Sequence, residues 1–473
     1  MLSKFQQKFY SFLPDTPTKD QIDLVERMER FLFLNHERVA FIIRGYAGTG
    51  KTTSVAAMVK TFPSFQLKSV LLAPTGRAAK VMAKFSGKPA FTIHKKIYQS
   101  KRGTDGQTKF SLAANLHTNT IFIVDEASMI SDGGGLNASH NYQMRSLLDD
   151  LVEYVYTGQN CRLVFIGDIA QLPPVGRDIS PALDSKFLQQ EYFFKLKGVE
   201  LKQVVRHAND SGILYNAIKL REQTLLDEPE ILFEKKDFDD VHFIDGYELE
   251  DELNTCVGRY GTAETIVITR SNKRANKFNQ QIRVRIKDFD EEVATGDYIM
   301  IVKNNYFWLD EKSPIGFIAN GDIAEIMRMG NIEEMYGFRF LNCTIRLTDY
   351  PKLDPVEVKV LLDSIMSEAP SLSPEDGKRL YETVLEDYAD EPNRKKKYEA
   401  MKKNPYFNAL QIKFAYAVTC HKSQGGQWKA VFVDQGYLTD EMVNKEYARW
   451  LYTAITRATE KLFLVNFNPK FLS

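Results

Sequence analysis

The sequence predicts an α/β protein of two parallel-sheet units, with a β-hairpin inserted in the first and a small antiparallel β module in the second. Three observations predict this. From residue 18 to 168, short continuous apolar runs alternate with helix-compatible segments. That is the pattern of a parallel sheet covered on both faces. The same pattern returns at residue 265 and again after 410. Between these stretches, apolar and polar residues alternate around Gly and Asn turns, which reads as antiparallel strands.

Size and composition are compatible with this. At roughly 150 residues per domain, 473 residues allow about three domains. Hydrophobic residues make up 44% and charged residues 26%, as in soluble globular proteins. Sixty-two basic residues balance 62 acidic ones, so a nucleic-acid site would have to be a local groove and not a basic shell. Four cysteines, Cys161, Cys256, Cys343 and Cys420, have neither metal-ligand spacing nor the density of a disulfide framework. A reduced, cytoplasmic compartment is expected. The N-terminus has no signal-peptide pattern, and no run of about 18 apolar residues occurs, so no membrane span is expected.

The elements follow in order. Thr18 is a candidate N-cap, and Ile22, Val25, Met28 and Phe31 have helical spacing. The apolar runs 39–45, 69–74, 120–126 and 162–168 are strands that end in small or acidic residues. In such sheets ligands bind at the carboxyl ends of the strands. Residues 98–118 form a hairpin around Gly103 and Gly106. The second set comprises strands 265–271, 414–421 and 430–436, a helix at 447–460 and a strand at 462–467. The first unit is thus expected over 1–97 and 119–178, with the hairpin at 98–118. The second spans 179–284 and 411–473. The β module spans 285–410 and carries a charged helical insertion at about 373–405. The acidic stretch 227–252 and the basic Arg394–Lys397 with Lys402 and Lys403 read as solvated faces.

Chemistry concentrates at the strand ends. Gly45-Tyr-Ala-Gly48-Thr49-Gly50-Lys51-Thr52 matches the phosphate-binding loop between a strand and a helix. Its glycines let backbone N–H groups wrap phosphates. Lys51 reaches the β- and γ-phosphates, and the Thr52 hydroxyl ligates Mg²⁺. Asp125-Glu126 closes another strand. There Asp125 can hold Mg²⁺ and Glu126 can orient the attacking water. These two elements mark a nucleoside triphosphatase without saying what the energy drives.

Further motifs supply that. Taken together, the chain resembles superfamily 1 helicases, specifically the RecD/Dda branch, superfamily 1B. Thr18–Gln21 is similar to the Q motif, Gly45–Thr53 to motif I, Ala73-Pro-Thr-Gly-Arg-Ala-Ala79 to motif Ia and Thr92-Ile-His94 to motif Ib. Val124-Asp-Glu-Ala-Ser128 is similar to motif II and Gly167-Asp-Ile-Ala-Gln171-Leu-Pro-Pro174 to motif III. Leu201-Lys-Gln-Val-Val-Arg206 is similar to motif IV, Thr419-Cys-His421-Lys-Ser423-Gln-Gly425 to motif V and Tyr452-Thr-Ala-Ile-Thr-Arg457-Ala to motif VI. Residues 98–118 and 285–410 match no motif.

The resemblance implies two RecA-like P-loop NTPase domains with ATP between them, the hairpin as a strand-separating pin and the β module as an SH3-like insertion. Gln21 would read adenine. Gly45, Gly48, Thr49, Gly50, Lys51, Thr52, Thr53 and Gly425 would line the nucleotide. Gln171 would sense the γ-phosphate, and Arg206 and Arg457 would reach it from the second domain, a surface salt bridge being the alternative for each. Pro74, Thr75, Thr92, His94, Thr419, His421, Lys422 and Ser423 would hold DNA phosphates or bases without reading sequence. Core packing competes for Pro74, Phe91, Tyr98, His94 and His421. Phe110 would be the wedge of the pin. The expected activity is ATP- and Mg²⁺-dependent unwinding of duplex DNA by 5′→3′ translocation. The expected partners are single-stranded and forked DNA, with single-strand-binding protein as a further candidate and the monomer as the active form. A DNA-dependent ATPase that remodels protein–DNA complexes, a helicase subunit of a helicase–nuclease complex, and an RNA substrate stay open as alternatives.

Overall fold

The computed structural model describes residues 2–102, 108–132, 146–204, 211–234, 238–310, 313 and 315–472. Its first sheet has six parallel strands in the spatial order Ala90–Thr92, Lys68–Ala73, Thr120–Val124, Arg162–Gly167, Val39–Gly45, Lys195–Leu201. Each continuous apolar run feeds both faces. Phe41 and Ile43 point into one core with Phe9, Met28 and Phe62, while Ala40 and Ile42 point into another with Phe122, Phe165 and Leu151. Helix Lys19–Leu32 begins at Thr18, whose hydroxyl accepts the Gln21 N–H while the Gln21 amide accepts the Thr18 N–H. That capping box fixes the helix start.

The second sheet has five parallel strands in the order Ala417–Thr419, Thr265–Thr269, Trp428–Asp434, Ala458–Val465, Val241–Ile244. The β module is a closed five-stranded barrel of Tyr298–Ile301, Ile323–Met335, Phe338–Leu347, Val356–Leu361 and Leu410–Phe414. Helices Pro374–Glu386 and Arg394–Lys402 form its insertion. One apolar core joins barrel and sheet: Ile299, Ile326 and Val360 pack in the same cluster as Val267, Phe432 and Phe463. A buried ion pair adds to the junction. Arg283, on helix Asn272–Arg285, donates to both carboxylate oxygens of Asp297 at 2.8 and 3.0 Å, and the Tyr416 hydroxyl donates to Asp297 at 2.8 Å. The barrel is therefore anchored to the second domain by packing and by a fully partnered charge. All four cysteines are buried free thiols. Among the described residues no helix is long and apolar enough to cross a membrane.

Four sequence expectations need correction. Residues 179–201 belong to the first domain, because Lys195–Leu201 pairs along the edge of the first sheet with Val39–Gly45. The run 414–421 is not one strand. Leu410–Phe414 closes the barrel, which therefore extends past residue 410, and Ala417–Thr419 enters the second sheet. The acidic stretch 227–252 is not simply a solvated face: Val241–Ile244 is the edge strand of the second sheet. The helix expected over 447–460 ends at Ile455, and the last strand begins at Ala458. The hairpin is present as Tyr98–Arg102 paired with Thr108–Leu112. Phe110 lies opposite Ser100 within a strand and not at the turn, whose residues 103–107 fall outside the described set.

A candidate nucleotide cleft and strand-binding face

The carboxyl ends of the first-sheet strands face the second domain across a cleft of about 740 Å³. Strand Val39–Gly45 runs into the phosphate loop, and helix Lys51–Thr61 opens directly behind it. Gly50 is the N-cap with φ of 79°, a left-handed conformation that glycine adopts without strain. Gly48 shares this conformation, and a Cβ there would lie 2.6 Å from Leu214 on the second domain. The Lys51 ammonium folds back onto the carbonyls of Gly45 and Tyr46 at 2.7 and 2.8 Å. It lies 3.9 Å from the Asp168 carboxylate.

Asp125 and Glu126 stand at the end of the adjacent strand. Asp125 accepts the Glu126 N–H at 2.9 Å. Burial, then the neighbouring Glu126 charge, pushes the Asp125 carboxyl up to about 6. Glu126 has φ of 52°, a strained backbone for a residue with a Cβ, of the kind that collects at functional sites. Gln171 is buried in the same cleft, and its Oε1 has no hydrogen-bond partner.

The second domain supplies the opposite wall: Gly425, Gly426, Thr456 and Arg457. Gly425 has φ of 71°, and a Cβ there would lie 3.0 Å from both Ala78 and the Thr75 hydroxyl. That glycine lets the two domains approach. The Arg457 guanidinium is buried and donates to the carbonyls of Thr453 and Gly426 and to the Thr456 hydroxyl. Arg206 lies outside the described residues. Gln21 lines the cleft beside Leu13 and Pro14, but its amide is already engaged by Thr18 and by the Ser54 hydroxyl at 3.3 Å. Thr52, Thr53 and Asp125 also line it, whereas Thr49 is buried with its hydroxyl on the Tyr46 carbonyl.

Sequence reasoning missed three groups here. Asp168 is almost fully buried between the Ala170 N–H and the Tyr452 hydroxyl. Tyr452 reaches the phosphate loop from the second domain, where it accepts the Ala47 N–H at 2.8 Å. Tyr46 donates to Glu200 at 2.7 Å beneath the Arg221 guanidinium. All three sat inside quoted motifs, and only their contacts with distant residues reveal their use.

Along the other face, Thr75 and Thr92 cap helices Gly76–Ser86 and Ile93–Ile97 by accepting the N–H groups of Ala78 and Lys95. Each hydroxyl keeps its own proton to donate. Thr419 opens the short helix Cys420–Ser423 without a side-chain cap, and His421 is exposed. Partial desolvation by the surrounding protein lowers the pKa of both His421 and His94, which favours neutral rings. His94 is half-buried, 5.8 Å from the Tyr98 ring and 6.5 Å from Phe317 of the barrel. Lys422 is half-buried, its ammonium unpartnered and its pKa pushed down to about 8 by desolvation and by Lys413. Pro74 is half-buried at the end of strand Lys68–Ala73. Phe91 is half-buried beneath Lys95 and Lys96.

One of these expectations fails, and for Tyr98 the packing alternative is the one favoured. Ser423 is fully buried and donates to the Cys420 carbonyl, so it does not face a strand. Tyr98 commits its hydroxyl to Asp150 at 2.6 Å, so it serves packing at the hairpin root more than base stacking.

The barrel also meets this face. A Cβ at Gly76 would lie 2.7 Å from Asp322 Oδ1 and 2.6 Å from the Tyr350 hydroxyl. Asp322 is buried, accepts the Ala319 N–H at 2.7 Å and has its other oxygen unpartnered. Desolvation is the main reason its carboxyl rises to about 7. A raised carboxyl favours the folded state below its unfolded value of 3.8, and that contribution is lost as pH climbs through about 7. Asp322→Asn is therefore expected to flatten the fall in melting temperature between pH 5 and 8. The slope removed is at most about 1.4 kcal/mol per pH unit. An unchanged pH dependence in the variant would assign the titration elsewhere.

Residues 18–245 match the family described as AAA domain, and residues 414–465 match the UvrD-like helicase C-terminal domain. The chain is 23% identical over 518 residues to an uncharacterised protein of Acanthamoeba polyphaga mimivirus, covering 94% of this chain and 98% of that one. It is 25% identical over 303 residues to the ATP-dependent DNA helicase dda of Enterobacteria phage T4, covering 60% of this chain and 62% of the phage protein. A crystal structure of Pif1 helicase from Bacteroides with ADP-AlF3 and ssDNA aligns over 97% of this chain and 95% of that one, at 13% identity and a TM-score of 0.48. An AAA-domain match in its first half, a UvrD-like helicase C-terminal match at its end and the motifs of both facing one cleft make the chain similar to helicases of superfamily 1B.

Proposed function

We propose that the chain is an ATP-driven DNA helicase that translocates 5′→3′ on single-stranded DNA and opens duplex ahead of it. One observation carries the motor assignment: a single cleft gathers the phosphate loop, Asp125, Glu126 and Gln171 from one domain and Gly425 and Arg457 from the other. Hydrolysis in such a cleft depends on how the two domains sit, so domain motion and turnover are coupled.

The roles follow from placement. Lys51 leaves its two carbonyls for the β- and γ-phosphates. Thr52 and Asp125 would hold a Mg²⁺ ion, which would supply charge neutralisation at those phosphates. Glu126 orients the attacking water, Gln171 contacts the γ-phosphate, and Arg457 stabilises the charge of the transferring phosphoryl group. Thr75, Thr92, Thr419, His421 and Lys422 contact the strand without sequence preference.

The direction rests on branch resemblance. Thr92-Ile-His94, the Thr419–Gly425 motif, a hairpin in place of a large helical insertion, and the barrel all resemble the 5′→3′ branch.

The test of the motor is ATP turnover by the whole chain with and without oligonucleotides. Turnover is expected to rise strongly with single-stranded DNA, and less with RNA of the same length. Turnover indifferent to any single strand would reduce the protein to a plain triphosphatase.

A further inference from the structure

We propose that Tyr452 is a positioning residue for ATP hydrolysis, transmitting the placement of the second domain to the phosphate loop through Asp168. This rests on the reading of the cleft as an ATPase site.

Tyr452 lies on helix Lys445–Ile455 of the second domain and is 1% exposed. Its hydroxyl joins two pieces of the first domain. It donates to Asp168 Oδ2 at 2.7 Å and accepts the Ala47 N–H at 2.8 Å. Asp168 holds the Ala170 N–H with its other oxygen and lies 3.9 Å from the Lys51 ammonium. One hydroxyl thus spans the domain boundary, the phosphate-loop backbone, and the carboxylate facing the phosphate lysine. The next residue repeats the bridge. The Thr453 hydroxyl accepts the Leu172 N–H at 2.8 Å, one residue beyond Gln171. The same helix turn therefore fixes both ends of the segment from Asp168 to Leu172, which carries the orphaned Gln171 amide.

The tyrosine is suited to this. Burial, with the Asp168 charge next, raises its pKa well above the usual value, so the hydroxyl stays protonated and remains a donor to the carboxylate. Without that hydrogen bond, a buried carboxylate loses a neutral partner and leans on Lys51, the group that must be free for phosphate. The ring plays a different part: it packs in the core shared by the second sheet and Ala170 and Leu172. Tyr452→Phe removes the hydroxyl and keeps that packing.

The experiment measures ATP turnover, ADP affinity and DNA stimulation for the full chain, for Tyr452→Phe, for Asp168→Asn and for the double variant. A hydrogen bond to a charged group corresponds to roughly a 10- to 100-fold effect. Tyr452→Phe is expected to lower DNA-stimulated kcat by about that factor, with ADP affinity within about twofold. In the Asp168→Asn background the same change is expected to have little further effect, since the shared path is already cut. Unchanged kcat in Tyr452→Phe overturns the proposal, as does an equal loss in kcat and ADP affinity, or full multiplicative losses in the double variant. Absence of turnover in the unaltered protein removes the ATPase reading and this proposal with it. An active parent with an unaffected Tyr452→Phe removes this proposal alone.

Discussion

Lys51→Ala is expected to abolish ATP turnover while the fold survives. Among the described residues the ammonium bonds to the carbonyls of Gly45 and Tyr46, with Asp168 at 3.9 Å. Losing one donor from two backbone carbonyls costs about 1–3 kcal/mol, small against the stability of a chain of this size. In the transition state the ammonium is the main fixed positive charge supplied by the loop itself, in a site where such charge carries much of the catalysis. A melting temperature within a few degrees of the parent, with turnover at background, is the expected pair of results. Substantial turnover by the variant would dissociate the loop from ATP.

Arg457→Ala is expected to depress turnover by a large factor with a smaller change in nucleotide affinity. Comparable arginines in other triphosphatases are worth roughly 10³–10⁵ in rate. In the structure the guanidinium rests on the Thr453 and Gly426 carbonyls and on the Thr456 hydroxyl, all within its own domain. Reaching phosphate requires it to exchange some of these bonds, which makes it a reporter of cleft closure. Truncation also strips buried acceptors, at about 1–3 kcal/mol. Arg457→Lys separates the two effects, because it keeps the charge but not the planar fork. If the arginine is catalytic, lysine restores stability more than rate. Equal DNA-stimulated turnover in parent and Arg457→Ala would remove this residue from the mechanism.

What could be read from the sequence depended on whether a feature was local. The central strands were legible because burial on both faces demands unbroken apolar runs, as in Val39–Ile43 and Thr120–Val124. The edge strand Lys195–Leu201 was not. One edge is solvated, so its residues alternate between exposed and covered, and Lys195, Lys197 and Glu200 disguise it. Apolar residues also hid a boundary: Phe414 belongs to the barrel and Ala417 to the sheet, and the turn between them is as buried as either strand. The phosphate loop was legible because contiguous residues make it. Tyr452 was not, since its two partners lie 284 and 405 residues away. Ser423 carried a hydroxyl suited to phosphate, but one turn of helix rotates it inward onto the Cys420 carbonyl.

The barrel's position gives the strand-binding face a second wall. Phe317 faces His94, and Asp349 pairs with Lys80 at 3.2 Å across the same boundary. The proposed helicase would need such a face to hold its strand.

Strand displacement on tailed duplexes tests this most directly. The full chain is given ATP, Mg²⁺ and duplexes carrying a single-stranded tail of one polarity or the other. Efficient opening of the 5′-tailed DNA duplex, with little on the 3′-tailed one, is the expected result. Efficient opening of the 3′-tailed duplex alone would contradict the direction, and DNA-stimulated turnover with no displacement on either tail would contradict unwinding itself.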